Sequence, residues 1–147
     1  MKKVISVNNI NETEKFAFKL GGELLPDDIV LLNGDLGTGK TVISKALCRF
    51  FNVPDIVISP TFNILKIYKT KSTKIKQILH FDLYRLKDEN ELINLGFYDY
   101  LAYDDSIILI EWPEFAYDLL DRPYYDLKII KDKFNPNKRT IEYDRKK

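Results

Sequence analysis

This sequence predicts a three-layer α/β fold, with helices on both faces of a mixed sheet that is parallel at its centre. Three observations carry that prediction. The apolar run Ile29-Val30-Leu31-Leu32 has no polar alternation and reads as a strand buried on both faces, as parallel strands are. Directly after it, Gly34-Asp35-Leu36-Gly37-Thr38-Gly39-Lys40-Thr41 fits the pattern G-x-x-x-x-G-K-[ST] at every fixed position. Val42–Phe51 then repeats Ile43, Ala46, Leu47 and Phe50 at helical spacing. Strand, glycine loop and helix is the order in which such a loop presents free N–H groups and the positive end of a helix to phosphate. Composition alone supplies the pattern in roughly one chain in two hundred of this length. The flanking strand and helix lower that further, so the fold is read as P-loop NTPase-like, a single domain over 1–147.

The remaining elements follow in chain order. Val4–Val7 is a short strand. Asn11 can cap a helix from Glu12 to Leu20, with Glu14 in the capping-box place and Gly21-Gly22 closing it. Ile56-Val57-Ile58 is a strand candidate stopped by Pro60. Phe62–Tyr68 and Ile75–Asp82 are strands around the polar tip 69–74. Asp88 caps a further helix with Glu91 three positions on, and Gly96 ends it. Ser106–Glu111 is the most hydrophobic strand and ends in a carboxylate. Tyr125–Lys131 and Arg139–Tyr143 form an antiparallel pair around Asn135-Pro136-Asn137, which makes the sheet mixed.

Composition sets the limits. A chain of 147 residues is one ordinary domain with a proper core. Lys plus Arg is 23 against 22 for Asp plus Glu, so net charge gives no argument for DNA or a membrane surface. The single cysteine, Cys48, cannot form an internal disulfide and reads as a small buried hydrophobe. No segment resembles a signal peptide or a membrane span, and the expected location is the cytoplasm.

The loop carries its own chemistry. Backbone N–H groups from Asp35 to Val42 can cradle the phosphates of a nucleoside triphosphate, Lys40 can reach the outer phosphates, and the Thr41 hydroxyl is a hard oxygen ligand for Mg²⁺. A loop of this kind needs a strand-end carboxylate nearby. Asp82, after Ile78-Leu79-His80-Phe81, and Glu111, after Ile107–Ile110, both qualify, because in an open α/β sheet the ligand lies at the carboxyl ends of the strands. Residue logic leaves open which of the two serves the metal and which the attacking water.

Four motifs together resemble the TsaE (YjeE) family: Gly34–Thr41, Ser59-Pro60-Thr61-Phe62, His80-Phe81-Asp82-Leu83-Tyr84-Arg85 and Glu111-Trp112-Pro113-Glu114. The resemblance runs from about Thr13 to Arg139. It implies a small bacterial ATPase that uses ATP and Mg²⁺ and works with TsaD and TsaB to make threonylcarbamoyladenosine in tRNA. It further implies that Thr41 and Glu111 hold the metal and that Asp82 orients or deprotonates the attacking water. Thr61 falls at the family's switch position, and Thr13 and Arg139 fall where members contact the far side of the nucleotide. Thr38 stands where many relatives carry Ala, with no consequence expected.

His80, the only histidine, reads as structural ahead of catalytic. Trp112 reads as a near-surface residue suited to a partner. The lysines at 66, 69, 71, 74 and 76 read as a solvated edge ahead of a contact to tRNA phosphate, which would be indirect or weak. A small-molecule or nucleotide kinase would share the loop but would bring clustered arginines, which this chain lacks. A GTPase would carry Asn-Lys-x-Asp, and Asn137-Lys138-Arg139-Thr140 lacks the Asp. A scaffold with a structural nucleotide would need no carboxylate beside the terminal phosphate.

Overall fold

The computed structural model describes all 147 residues. Seven strands form one sheet in the order β1-β7-β6-β2-β5-β4-β3. They are β1 (Lys3–Val7), β2 (Ile29–Asn33), β3 (Leu65–Lys69), β4 (Gln77–Asp82), β5 (Ser106–Glu111), β6 (Tyr124–Lys131) and β7 (Arg139–Lys146). The central four, β6, β2, β5 and β4, run parallel; β7 on one side and β3 on the other run antiparallel to them, and the edge strand β1 pairs antiparallel with β7. The expected mixed sheet with a parallel centre is therefore present. The apolar strands occupy its middle, and β5 is buried at every position.

Helices α1 (Ile10–Glu23) and α2 (Lys40–Phe50) cover one face. Leu20, Ile43, Leu47, Leu109 and Leu127 are among the buried residues packed there. The short helices α3 (Glu89–Asn94) and α4 (Phe97–Leu101), with two 3-10 turns at Pro113–Phe115 and Tyr117–Leu119, cover the other face over Phe81, Ile108 and Ile110. No helix is long and apolar enough to cross a membrane.

Several expected boundaries move, each for a local reason. The cap of α1 is Asn9, whose side chain accepts from Glu12 N at 2.9 Å while the Glu12 carboxylate accepts from Asn8 N. Glu14 instead pairs with Arg49 on α2. The helix also continues through Gly21-Gly22, and α1 lies so close to α2 there that a Cβ on Gly21 would come within 2.6 Å of the Phe50 ring. Ile56–Ile58 is not a strand: it joins no ladder of the sheet, and the outer edge of β3, which pairs only with β4, is left without a partner. Its tie is the Tyr68 hydroxyl at the Ile58 backbone, and Ile56 and Ile58 stand exposed. Gly96 ends α3 as expected and, in a left-handed conformation, opens α4.

Candidate functional site

The carboxyl ends of β2, β4 and β5 meet at one edge of the sheet. Leu32 is in register with Glu111, and Glu111 with Asp82. The loop after β2 therefore opens beside both carboxylates, and α2 leaves it over the same face. Its tightness depends on Gly34, where a Cβ would lie 2.5 Å from Thr38 Oγ1 and 2.8 Å from the Ile129 carbonyl. Gly39, with φ 112°, turns the chain into α2.

Lys40 is buried, and its ammonium donates to the carbonyls of Gly34 at 2.6 Å and Asp35 at 2.9 Å. It also lies 4.0 Å from the centre of the Trp112 ring. Burial lowers its pKa from the ordinary lysine value, opposed by the charges of Glu111 and Asp82. Trp112 holds that place from a left-handed conformation, φ 56°, which is strained for a bulky residue.

Both carboxylates are buried and engaged. Glu111 Oε1 accepts from the Thr41 hydroxyl at 3.0 Å, and Oε2 lies 2.5 Å from His80 Nε2 and 3.4 Å from Ser44 Oγ. Asp82 Oδ2 accepts from Thr61 Oγ1 at 2.8 Å and Ser59 Oγ at 3.0 Å, and Oδ1 accepts from Tyr84 N. The Asp82 backbone N–H donates to Ile64 O, so this strand end holds the Ser59–Ile64 segment at three residues, Ser59, Thr61 and Ile64.

A cavity of about 350 Å³ joins these groups, lined by Gly37, Gly39, Lys40, Thr41, Asp82 and Glu111 among others. A second, of about 500 Å³, adjoins it across Gly37, Gly39 and Val42 and reaches Thr13, Asn137 and Arg139. The first has the donors and carboxylates suited to phosphates and a cation, and the second has room for a nucleoside. Arg139 does not point a free guanidinium into that space. It donates to the carbonyls of Thr38, Gly37, Pro136 and Lys138, lashing the loop to the β6–β7 turn.

The donor set suits Mg²⁺. No group of three or more His, Cys, Asp and Glu side chains converges on a metal position. One hydroxyl and one carboxylate, Thr41 and Glu111, stand side by side, the small protein contribution that this ion takes when phosphates and water fill its other positions.

The structure thus brings Asp35 through Val42, Thr61, Asp82 and Glu111 together, with Thr13 and Arg139 at the adjoining cavity. Sequence reading missed Ser44, Ser59 and the His80–Glu111 contact. Ser44 could have been found, since on α2 it stands one turn beyond Lys40 and Thr41 on a shared face. Thr38 does have a consequence, because its hydroxyl is buried with no hydrogen-bond partner.

Known proteins resemble this chain in sequence and in fold. The model of a family described as threonylcarbamoyl adenosine biosynthesis protein TsaE matches residues 7–141. A Rickettsia felis protein named tRNA threonylcarbamoyladenosine biosynthesis protein TsaE is 43% identical over 127 residues, covering 86% of this chain and 71% of its own. Its namesake from Rickettsia prowazekii is 42% identical, covering 84% and 83%. The Mycobacterium tuberculosis protein of that name is 30% identical, covering 82% and 74%. In fold, the crystal structure of Bacillus subtilis YdiB superposes with a TM-score of 0.78 at 24% identity, over 97% of this chain and 84% of that one.

Proposed function

Because this chain belongs to the TsaE family of threonylcarbamoyladenosine biosynthesis proteins, we propose that it binds Mg-ATP and hydrolyses it slowly in support of a TsaD–TsaB complex that modifies tRNA. One observation carries the reading: Asp82 and Glu111 are register partners on adjacent parallel strands, at the edge where the phosphate loop opens.

In this reading the loop's N–H groups hold the phosphates, and Lys40 neutralises the outer two. Thr41 and Glu111 hold the Mg²⁺, which when bound screens the charge of the phosphates. Asp82, two residues beyond His80 on β4, orients a water toward the terminal phosphate and takes up its proton. Thr61 and Ser59, both on Asp82 Oδ2, let the Ser59–Phe62 segment register whether that phosphate is present. The nucleoside lies toward Thr13, Asn137 and Arg139.

No arginine lines the phosphate cavity: Arg85 is stacked 4.2 Å over the Phe62 ring, and the Arg139 guanidinium is taken up by backbone carbonyls, those of Gly37 and Thr38 among them. Charge developing in the transition state therefore lacks a cation beyond Lys40 and the metal, which supports slow turnover alone and acceleration by a partner. The same absence speaks against the kinase reading. Titrating the chain with a TsaD–TsaB complex while following phosphate release and ATP affinity tests the proposal. Both should rise, since a partner that prefers the ATP-loaded state must by linkage raise ATP affinity. If neither changes, the partner reading is wrong.

A further inference from the structure

We propose that His80 is a positioning residue for Glu111, holding one carboxylate oxygen so that the other stays beside the Thr41 hydroxyl. The inference rests on the reading of Thr41 and Glu111 as the magnesium pair and adds to it a cause for their alignment.

The geometry is specific. His80 lies on β4 in register with Leu109, two residues before Glu111 on β5, so both side chains occupy the face toward α2. Its ring is fully buried, at 0% exposure, and Nε2 is 2.5 Å from Glu111 Oε2. Nδ1 is buried with no hydrogen-bond partner. A proton on Nδ1 would be an unsatisfied donor in the core and would set the Nε2 lone pair against a carboxylate oxygen. The Nε2–H tautomer avoids both costs and donates to Glu111.

No other donor does this work on Oε2. Ser44 Oγ is 3.4 Å from Oε2 but also 3.2 Å from the Lys40 carbonyl, and its single proton cannot serve both. Thr41 is on the opposite oxygen. The terminal torsion of a glutamate is soft and roughly two-fold, so a carboxylate without a fixed partner would turn about its Cγ–Cδ bond. A hydrogen bond from a rigid ring on a central strand removes that freedom before any cation arrives. Partners of this kind, one shell behind a metal ligand, typically contribute about 10–100-fold to metal affinity.

The test uses the full-length chain with His80→Leu, His80→Gln and His80→Asn, and Glu111→Ala as reference. ADP affinity is measured by calorimetry with magnesium and with EDTA, so hydrolysis plays no part. His80→Leu should bind ADP normally in EDTA and lose about 10–100-fold of the gain that magnesium gives. Gln places its amide N–H near the Nε2 position and should restore most of that gain; Asn, reaching only the Nδ1 position, should not. If His80→Leu does not fold, the Gln–Asn contrast carries the same information. The single histidine also permits an unambiguous long-range ¹⁵N spectrum, which should show Nε2–H in the wild type. An unreduced magnesium gain in His80→Leu or His80→Asn, or an Nδ1–H tautomer, overturns the proposal. If Glu111→Ala itself keeps the magnesium gain, the metal reading has failed as well; if only the His80 variants keep it, the metal reading stands and the positioning role falls.

Discussion

The Thr41 hydroxyl donates to the Glu111 carboxylate across 3.0 Å, joining the first turn of α2 to the last residue of β5. The hydrogen bond sets two hard oxygen groups next to each other at the mouth of the phosphate loop. A divalent cation entering there would exchange that hydrogen bond for two metal–oxygen contacts. Thr41→Val keeps the shape and removes the oxygen. It should leave ADP affinity in EDTA unchanged and abolish most of the increase produced by magnesium, as read by calorimetry. An undiminished increase would remove Thr41 from the metal site.

Lys40 provides a second prediction. Its ammonium is held between two loop carbonyls and the Trp112 ring, aimed along the inside of the loop. Lys40→Ala removes both the charge proposed to face the outer phosphates and the tie that closes the loop. A hydrogen-bonded charge contributes about 1.5–3 kcal/mol, so ATP affinity should fall by roughly 10- to 150-fold. Equilibrium dialysis with labelled ATP measures this directly.

Thr38→Ala should stabilise the protein. The buried Thr38 hydroxyl has no partner, a cost of about 1–3 kcal/mol, set against about 0.8 kcal/mol for the methyl lost. The melting midpoint should rise by a few degrees in calorimetry, given about 2–4 °C per kcal/mol at this size. A lower midpoint would mean the methyl contact outweighs the stranded hydroxyl.

Cys48 is buried on α2, and burial pushes its thiol up to about 12. At pH 8 the folded protein should be inert to a thiol reagent that labels the denatured chain rapidly. The linkage has a definite sign. Because the folded thiol holds its proton longer than the unfolded one, its contribution to stability is complete below the unfolded pKa near 8.5 and is lost as pH rises toward 12. Denaturant midpoints for wild type and Cys48→Ala should therefore draw together between pH 9 and pH 11, read as roughly the interval between those values.

Much of the site was legible because each signal was local. The loop motif, the unbroken apolar runs of β2 and β5, and a carboxylate at the end of β4 and of β5 are contiguous in sequence, and a parallel sheet collects strand ends at one edge. What escaped depends on pairing between distant segments. That His80 meets Glu111 follows from the register of β4 against β5, which no single segment encodes. That Arg139 grips the loop follows from β7 inserting between β1 and β6. Ile56–Ile58 has the composition of a strand and yet joins no ladder. The cap of α1 was displaced by two residues because Asn9-x-x-Glu12 and Asn11-x-x-Glu14 offer the same signature, and Arg49 recruits the second glutamate.

In the proposed reaction Asp82 acts at the chemical step, which phosphate release from saturating Mg-ATP by wild type and Asp82→Asn puts to the test. The amide keeps the size of the side chain and cannot accept the proton of the attacking water. The variant should bind ATP as the wild type does and release phosphate about 10²–10⁴-fold more slowly, with TsaD–TsaB present or absent. Equal release by the two proteins, at full occupancy, would contradict the assignment of Asp82 and with it the hydrolytic reading of the site.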